Sequence, residues 1–355
     1  MTRQLFLTSL LWTLPLAVNA EIYELPPDGS DVIGGVSTIL ARHDDTLLDI
    51  ARRHGLGYED IVRANPDVDV WLPGEGTEVV LPTRYIIPSG PRRGVVLNLA
   101  EYRMYYFPEP AAGERAVVMT YPMSIGRMDW ATPLGRTRVV AKVRNPAWYP
   151  PESVRAEHAA EGDILPRVVP PGPKNPLGAR AMRLDIPGYL IHGTNRPDGV
   201  GMRVTHGCIR MFPEDIEFLF EQVPVNTPVR IVNEPIKLGW DGENLVMEAH
   251  RQLESSPIID EDNMSPVVRE TAETAETVAA SDATVLTEAD AVEDASRPVL
   301  RDPLTLVTEQ FVAATSERAG ELDWNEAERL VARASGMPMP VGRAIKNAAT
   351  SAASE

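Results

Sequence analysis

Cys208 is the only cysteine in the 355 residues, and two of the six histidines, His192 and His206, stand near it in the stretch HGTNRPDGVGMRVTHGCIRM at 192 to 211. A lone thiol has no internal disulfide partner, so its place in the chain asks for a chemical reason. The thiolate is the effective nucleophile, and a free cysteine of pKa about 8.5 is mostly protonated near neutrality. An imidazole beside it can take that proton. His206 precedes Cys208 by two residues, so in an extended segment both side chains share a face, with Gly207 between them. His192 lies sixteen residues upstream, and the intervening RPDGVG turn can fold it back. A tetrahedral oxyanion also needs preorganised donors, for which the backbone N–H groups of His206, Gly207 and Cys208 are natural candidates.

Two other readings of the same residues stand beside this one. Free cysteine often behaves as a small buried hydrophobe, but glycine, two histidines, a threonine and Arg210 make a poor apolar segment. Cys208, His192 and His206 could bind zinc, yet no CxxC or HExxH spacing supports it, and no metal is expected. No P-loop and no GxGxxG after a strand occurs, so no cofactor is expected either.

The stretch resembles the signature of the YkuD-type L,D-transpeptidases: a histidine, about sixteen residues, then [S/T]HGC, an aliphatic residue and Arg or Asn. Here these are His192, Thr205, His206, Gly207, Cys208, Ile209 and Arg210. ATPLGRTRV at 131 to 139, NPAWYPP at 145 to 151 and VVPPGPKNPLG at 168 to 178 look like the ErfK/YbiS/YcfS/YnhG branch. The resemblance implies acyl transfer on peptidoglycan stem peptides, with Cys208 as nucleophile and His192 as general base and acid. D-alanine would leave, and the thioester would pass to an amine, either of a second stem in a 3-3 cross-link or of an outer-membrane lipoprotein lysine. Thr205, His206, Gly207 and Gly193 would support the oxyanion and the pocket; Arg210, Asn195 and Trp148 would meet substrate. Where some relatives carry a serine after the base histidine this chain has Gly193, which offers the imidazole only a backbone carbonyl.

The elements that must position these residues follow from the rest of the chain. From Arg92 to Val232 short β-type runs alternate with Gly and Pro turns, and the one clear helix is PEDIEFLFEQV at 213 to 223. A mainly β catalytic domain is expected over 92–233, with few helices, the resemblance implying a YkuD-like β-sandwich. The stretch from Trp148 to Gly178, rich in proline, is too long for an ordinary turn. By resemblance it would form a lid, with Trp148 and Tyr149 as walls.

Residues 36–83 read strand, helix, helix, strand, a small α+β unit in which Asp44 or Asp45 can cap the first helix and Gly55 end it. DDTLLDIA, ANP, LPG and VVLP resemble a LysM module, which implies binding to peptidoglycan glycan strands. At the N-terminus Arg3, an apolar run from Leu5 to Val18 and the close on Val18-Asn19-Ala20 read as a signal peptide, residues 1–20, cut after Ala20. Export to the periplasm, with no membrane span left after cleavage, is the expected destination.

An extension follows at 234–253. From Glu254 to Asp294 there are twelve acidic residues against one basic and no aromatic, which marks 254–300 as a disordered linker. PLTLVTEQFVAATSERAG and DWNEAERLVARASGMPMP then show helical spacing, a helical tail over 301–345 with Asp323 as a cap. The net charge of −17 without a basic patch argues against nucleic acid and anionic membrane surfaces. Two rival functions share these features: a hydrolase in which water resolves the thioester, and a non-catalytic wall-binding scaffold.

Overall fold

The computed structural model describes residues 21–253 and 300–345. The signal-peptide reading at 1–20 and the acidic linker at 254–299 lie outside the described residues.

The chain opens with β1 (Glu21–Glu24) and then forms a small unit: β2 (Val32–Leu40), α1 (Leu47–Arg53), α2 (Tyr58–Ala64) and β3 (Glu78–Ile86). β2 and β3 pair antiparallel from Val32↔Ile86 to Leu40↔Glu78, and Leu47, Ile50, Ala51, Leu56, Ile61, Val79 and Leu81 make its core. The cap of α1 differs from the expectation. Thr46 is the N-cap, its side chain accepting from Asp49 N while the Asp49 carboxylate accepts from Thr46 N. Asp45 turns away from the helix end because Arg53, two turns on, binds both its carboxylate oxygens at 2.6 and 2.8 Å. Asn65 ends α2, its buried amide spanning Ile61 O and the backbone of Val80.

The next strands are β4 (Gly94–Asn98), β5 (Arg103–Phe107), β6 (Val117–Pro122), β7 (Ile125–Gly126) and β8 (Gly135–Arg144). After α3 (Glu152–Ala160) come β9 (Arg180–Leu184), β10 (Leu190–His192), β11 (Arg203–Thr205), β12 (Ile209–Arg210), α4 (Pro213–Gln222) and β13 (Pro228–Val232). Nine strands make one sheet in the order β1-β6-β5-β4-β13-β8-β9-β10-β12. Residues from both halves of that order, Val95 and Met104 as well as Ile191 and Ile209, share one core with Leu219 and Phe220 of α4, so the sheet curls around it. This is the mainly β domain with few helices that the sequence predicts.

All residues of β4 and β5 are buried because both faces are covered. Val95, Leu97, Met104 and Tyr106 face the α4 core, while Val96, Tyr105 and Phe107 meet Ile33 and Tyr85 of the βααβ unit. α3 lies within the stretch expected as a lid, for which no helix is named from the sequence. Only Val154 of its nine residues is buried, so it carries no apolar stripe from which a sequence pattern could be read.

The end of the chain is more than a helical tail. β14 (Ile236–Asp241) and β15 (Asn244–Ala249) form a hairpin; α5 (Pro303–Thr315), β16 (Gly320–Leu322), α6 (Trp324–Arg333) and β17 (Met339–Ala344) complete a sheet ordered β14-β15-β17-β16. Both helices expected there are present, Asp323 capping α6 through Glu326 N. They cover a core that includes Trp240, Leu245, Met247, Val307 and Leu330, so the 234–253 extension and the 301–345 tail fold as one unit.

Candidate active site

β10 and β12 lie side by side and parallel, Ile191 opposite Ile209 and His192 opposite Arg210. Cys208 immediately precedes β12 and so comes beside Leu190, two residues from His192. Because side chains alternate along a strand, Cys208 and His192 share one face of this strand pair. The sixteen-residue separation is closed by the turn through Pro197–Gly199 and by β11, which pairs with β7.

His192 is buried, and its Nδ1 lies 2.6 Å from the carbonyl oxygen of Gly193. A carbonyl only accepts, so Nδ1 carries the hydrogen and Nε2 is left with its lone pair. Burial first, and then the nearby Arg210 cation, push His192 down to about 4. Burial pushes the Cys208 thiol up to about 11, against smaller opposing effects of the Leu190 backbone and Arg210. At neutral pH the two groups are therefore an uncharged thiol, directed at Gly188 O at 3.5 Å, and an uncharged imidazole on the same face of the strand pair, a base able to take a proton.

The loop carrying the sulfur is pinned from several sides. Gly207 has φ +96°, and a Cβ there would come 2.9 Å from Tyr189 Cε1, so glycine is required on both conformational and steric grounds. Thr205 Oγ1 donates to Cys208 O at 2.6 Å, and Thr132 Oγ1 donates to Gly207 O at 2.8 Å while accepting from Gly126 N. The carbonyl of Gly207 and the N–H of Cys208 belong to one planar trans peptide, so Thr132 fixes the direction of that N–H.

His206 is held by the long segment. Its Nε2 lies 3.1 Å from Glu157 Oε2 on α3, its ring stands edge-on to Trp130 at 5.2 Å, and Arg127 binds the other oxygen of Glu157 at 2.6 Å. Arg210 keeps a buried Nε without a hydrogen-bond partner beside the face that carries Cys208. The site thus gathers His192, Gly193, Thr205, His206, Gly207, Cys208 and Arg210.

Asn195 follows Gly193 by two residues, while Trp148 contacts none of these residues by a hydrogen bond. Asn195 Nδ2 donates to Lys174 O, and with Asn145, Asn175 and Thr194 it lines a cavity of about 240 Å³. Trp148 is half-buried, its backbone bridged both ways to Val169, and Tyr149 beside it is exposed. Thr132, Tyr189 and Glu157 were not singled out from the sequence; each depends on a tertiary contact that local pattern does not carry.

Among the described residues one cluster has ligand atoms close enough to hold a metal, Glu101, Glu248 and His250. It already contains a cation: Lys237 Nζ lies 2.7 Å from Glu101 and 3.0 Å from Glu248.

Residues 92–231 match the YkuD family, the L,D-transpeptidase catalytic domain. The chain is 40% identical over 261 residues to the probable L,D-transpeptidase YcfS of Escherichia coli strain K12, covering 72% of this chain and 80% of the relative. It is 41% identical over 235 residues to the probable L,D-transpeptidase ErfK/SrfK of Salmonella typhimurium strain LT2, covering 65% and 74%. The solution structure of the catalytic domain of an E. faecium L,D-transpeptidase is 22% identical, with a TM-score of 0.30 over 40% of this chain and 99% of that one. The chain belongs to the L,D-transpeptidase family. No helix among its described residues is long and apolar enough to cross a membrane.

Proposed function

We propose that Cys208 and His192 carry a two-step acyl transfer on peptidoglycan stem peptides. The observation that carries it is the single hydrogen bond from His192 Nδ1 to Gly193 O, which leaves Nε2 free on the face shared with the only cysteine. In the first step Cys208 Sγ attacks the carbonyl that joins the L-centre of diaminopimelate to D-alanine, and Nε2 takes the thiol proton. The oxyanion is met by the N–H groups of the 206–208 loop, foremost that of Cys208, whose peptide plane Thr132 holds. Collapse breaks the C–N bond, the imidazolium gives its proton to the leaving amine, and a thioester remains. In the second step an acceptor amine attacks the thioester, the C–S bond breaks and the proton returns to sulfur.

Arg210, Asn195 and Trp148 are assigned to the substrate side, Arg210 because its buried Nε still seeks an acceptor. The βααβ unit is proposed to be LysM-like and to hold glycan strands, and the enzyme to act in the periplasm after loss of residues 1–20. The amine acceptor is a second stem or a lipoprotein lysine.

The test is mass spectrometry of muropeptides after incubation with disaccharide-tetrapeptide, alone and with a lysine-bearing lipoprotein peptide. A dimer lacking one D-alanine marks the cross-link and a peptide adduct marks anchoring; tripeptide alone marks hydrolysis, and unchanged tetrapeptide sinks the reading. Cys208→Ala must abolish every product.

A further inference from the structure

The turn that connects His192 to Cys208 is built partly against the βααβ unit. Tyr58 N donates to Val200 O at 2.9 Å and Glu59 N to Gly201 O at 3.4 Å, both from the first turn of α2. The two backbones meet at a pair of glycines. A Cβ on Gly57 would stand 2.7 Å from Gly201 Cα, and one on Gly201, whose φ is +87°, 2.4 Å from Tyr58 N. No other residue type fits on either side without displacing the turn.

The opposite side of the same turn touches the catalytic strands. Ser124 Oγ donates to Gly199 O at 2.7 Å and Ile125 N to Met202 O at 3.2 Å, while Ser124 and Arg210 exchange backbone hydrogen bonds at 2.8 and 3.1 Å. The turn is therefore clamped between α2 and the segment that also holds Arg210, two residues from the sulfur.

The unit itself is fixed in place. Arg103 of the catalytic sheet, 1% exposed, reaches Asp60 at 2.7 Å and Gly55 O, and stacks over Tyr85. Arg52 of α1 binds both oxygens of Glu214 at the start of α4, at 2.6 and 2.8 Å. A domain joined by a flexible tether would need none of these contacts.

We infer that the βααβ unit is a working part of the catalytic site: through Gly57, Tyr58 and Glu59 it holds the 196–202 turn and so positions Cys208 against His192. These are positioning residues, since none of them is placed against the reacting atoms. The inference rests on the thiol chemistry assigned to Cys208.

The test uses the full chain with Gly57→Ala. The native backbone at Gly57, φ −88° and ψ 171°, suits alanine, so the added methyl probes the contact with Gly201 rather than backbone strain. On the scale on which a 1 Å misplacement costs about a hundredfold, kcat for release of D-alanine is expected to fall roughly tenfold or more. KM for tetrapeptide should stay within about twofold, since substrate contacts are kept. The pH profile of Cys208 alkylation should move as well, while the thermal midpoint of the folded chain holds. Gly57→Ser, which supplies a capping side chain but adds the same Cβ, should match alanine. Unchanged kcat and an unchanged alkylation profile overturn the inference, and so does full rescue by serine.

If the Gly57 variants do not fold, Arg52→Gln loosens the same docking at a partly exposed pair. It should lower kcat and move the alkylation profile in the same direction; no effect there is equally fatal. Alkylation of Cys208 does not require turnover. A wild-type chain that releases no D-alanine therefore refutes the assigned reaction, while the alkylation profiles still decide the coupling.

Discussion

Glu157 Oε2 lies 3.1 Å from His206 Nε2, joining the helix inside the long 148–178 segment to the residue two positions before the cysteine. A carboxylate only accepts, so Nε2 of His206 carries a hydrogen. Arg127 and then His206 hold Glu157 below its ordinary range, so it stays ionised at neutral pH.

Glu157→Ala should free both His206 and α3 and lower kcat/KM about tenfold, the scale expected when a catalytic loop is loosened rather than dismantled. Glu157→Gln keeps an acceptor for His206 while losing the charge opposite Arg127, and should retain most of the activity. Steady-state D-alanine release decides it. Equal loss in both variants would assign the effect to the Arg127 charge pair instead.

The uncharged state of the Cys208 and His192 pair sets a pH signature. With the thiol pushed up to about 11, alkylation by iodoacetamide should be slow through neutral pH and climb toward that value. An enzyme with a resting thiolate and imidazolium would show a fast plateau from mildly acidic pH. Such a plateau would contradict the uncharged resting pair, although an imidazolium would keep the same Nδ1 hydrogen bond to Gly193 O.

The same shifts bear on stability. His192 moves from an ordinary 6.5 to about 4, so between those values the unfolded chain binds more protons and stability rises with pH. About 3 kcal/mol should be lost as pH falls across that window, at about 1.4 kcal/mol per unit. His192→Gln should flatten this part of a urea-melting series across pH 4 to 7. A slope identical to wild type would show that His192 is not the group responsible.

Thr132 is the residue whose role the sequence concealed most completely. Thr132→Val is close in shape but leaves Gly207 O and Gly126 N without their partner, at a cost of about 1–3 kcal/mol in stability. It also frees the peptide plane that aims Cys208 N–H, so kcat should fall about tenfold, part of what loss of an oxyanion donor costs. Thr132→Ser should recover both. Loss of stability with kcat intact would remove the Cys208 N–H from the oxyanion role.

What could be read from the sequence follows the distance over which each feature is encoded. His192, Thr205, His206, Gly207 and Cys208 lie in one continuous stretch, and α4 announces itself by Pro213 and the stripe Ile216, Leu219, Phe220. Glu157 reaches His206 across 49 positions from a helix with one buried residue, and no local pattern links them. β17 hides because Pro340 and Gly342 interrupt it, and it pairs with β15 only through a register shift at Leu245 and Val246. The cap of α1 fell to Thr46 because Asp45 answers to Arg53, a contact two turns away.

Lys237 is the residue on which the three parts of the molecule converge. Its Nζ donates to Ile86 O of the βααβ unit at 2.6 Å, to Glu101 of the catalytic domain at 2.7 Å, and meets Glu248 of the C-terminal hairpin at 3.0 Å. Lysine and both carboxylates are at most 2% exposed in their side chains. Burial alone would push Glu248 up and Lys237 down, but the ammonium and the His250 side chain hold Glu248 below its ordinary value and the two carboxylates hold Lys237 above its own. A buried ion pair adds little net stability, but removing one partner strands the other in a medium that cannot solvate it. Lys237→Met should therefore destabilise the chain by about 3–5 kcal/mol, far more than its lost packing. Adding Glu101→Gln to that variant should recover part of the loss, since one of the two stranded carboxylates is then gone. A urea-unfolding double-mutant cycle measures both effects; additive losses would mean that Lys237 and Glu101 are not coupled and that the junction is held by its apolar contacts alone.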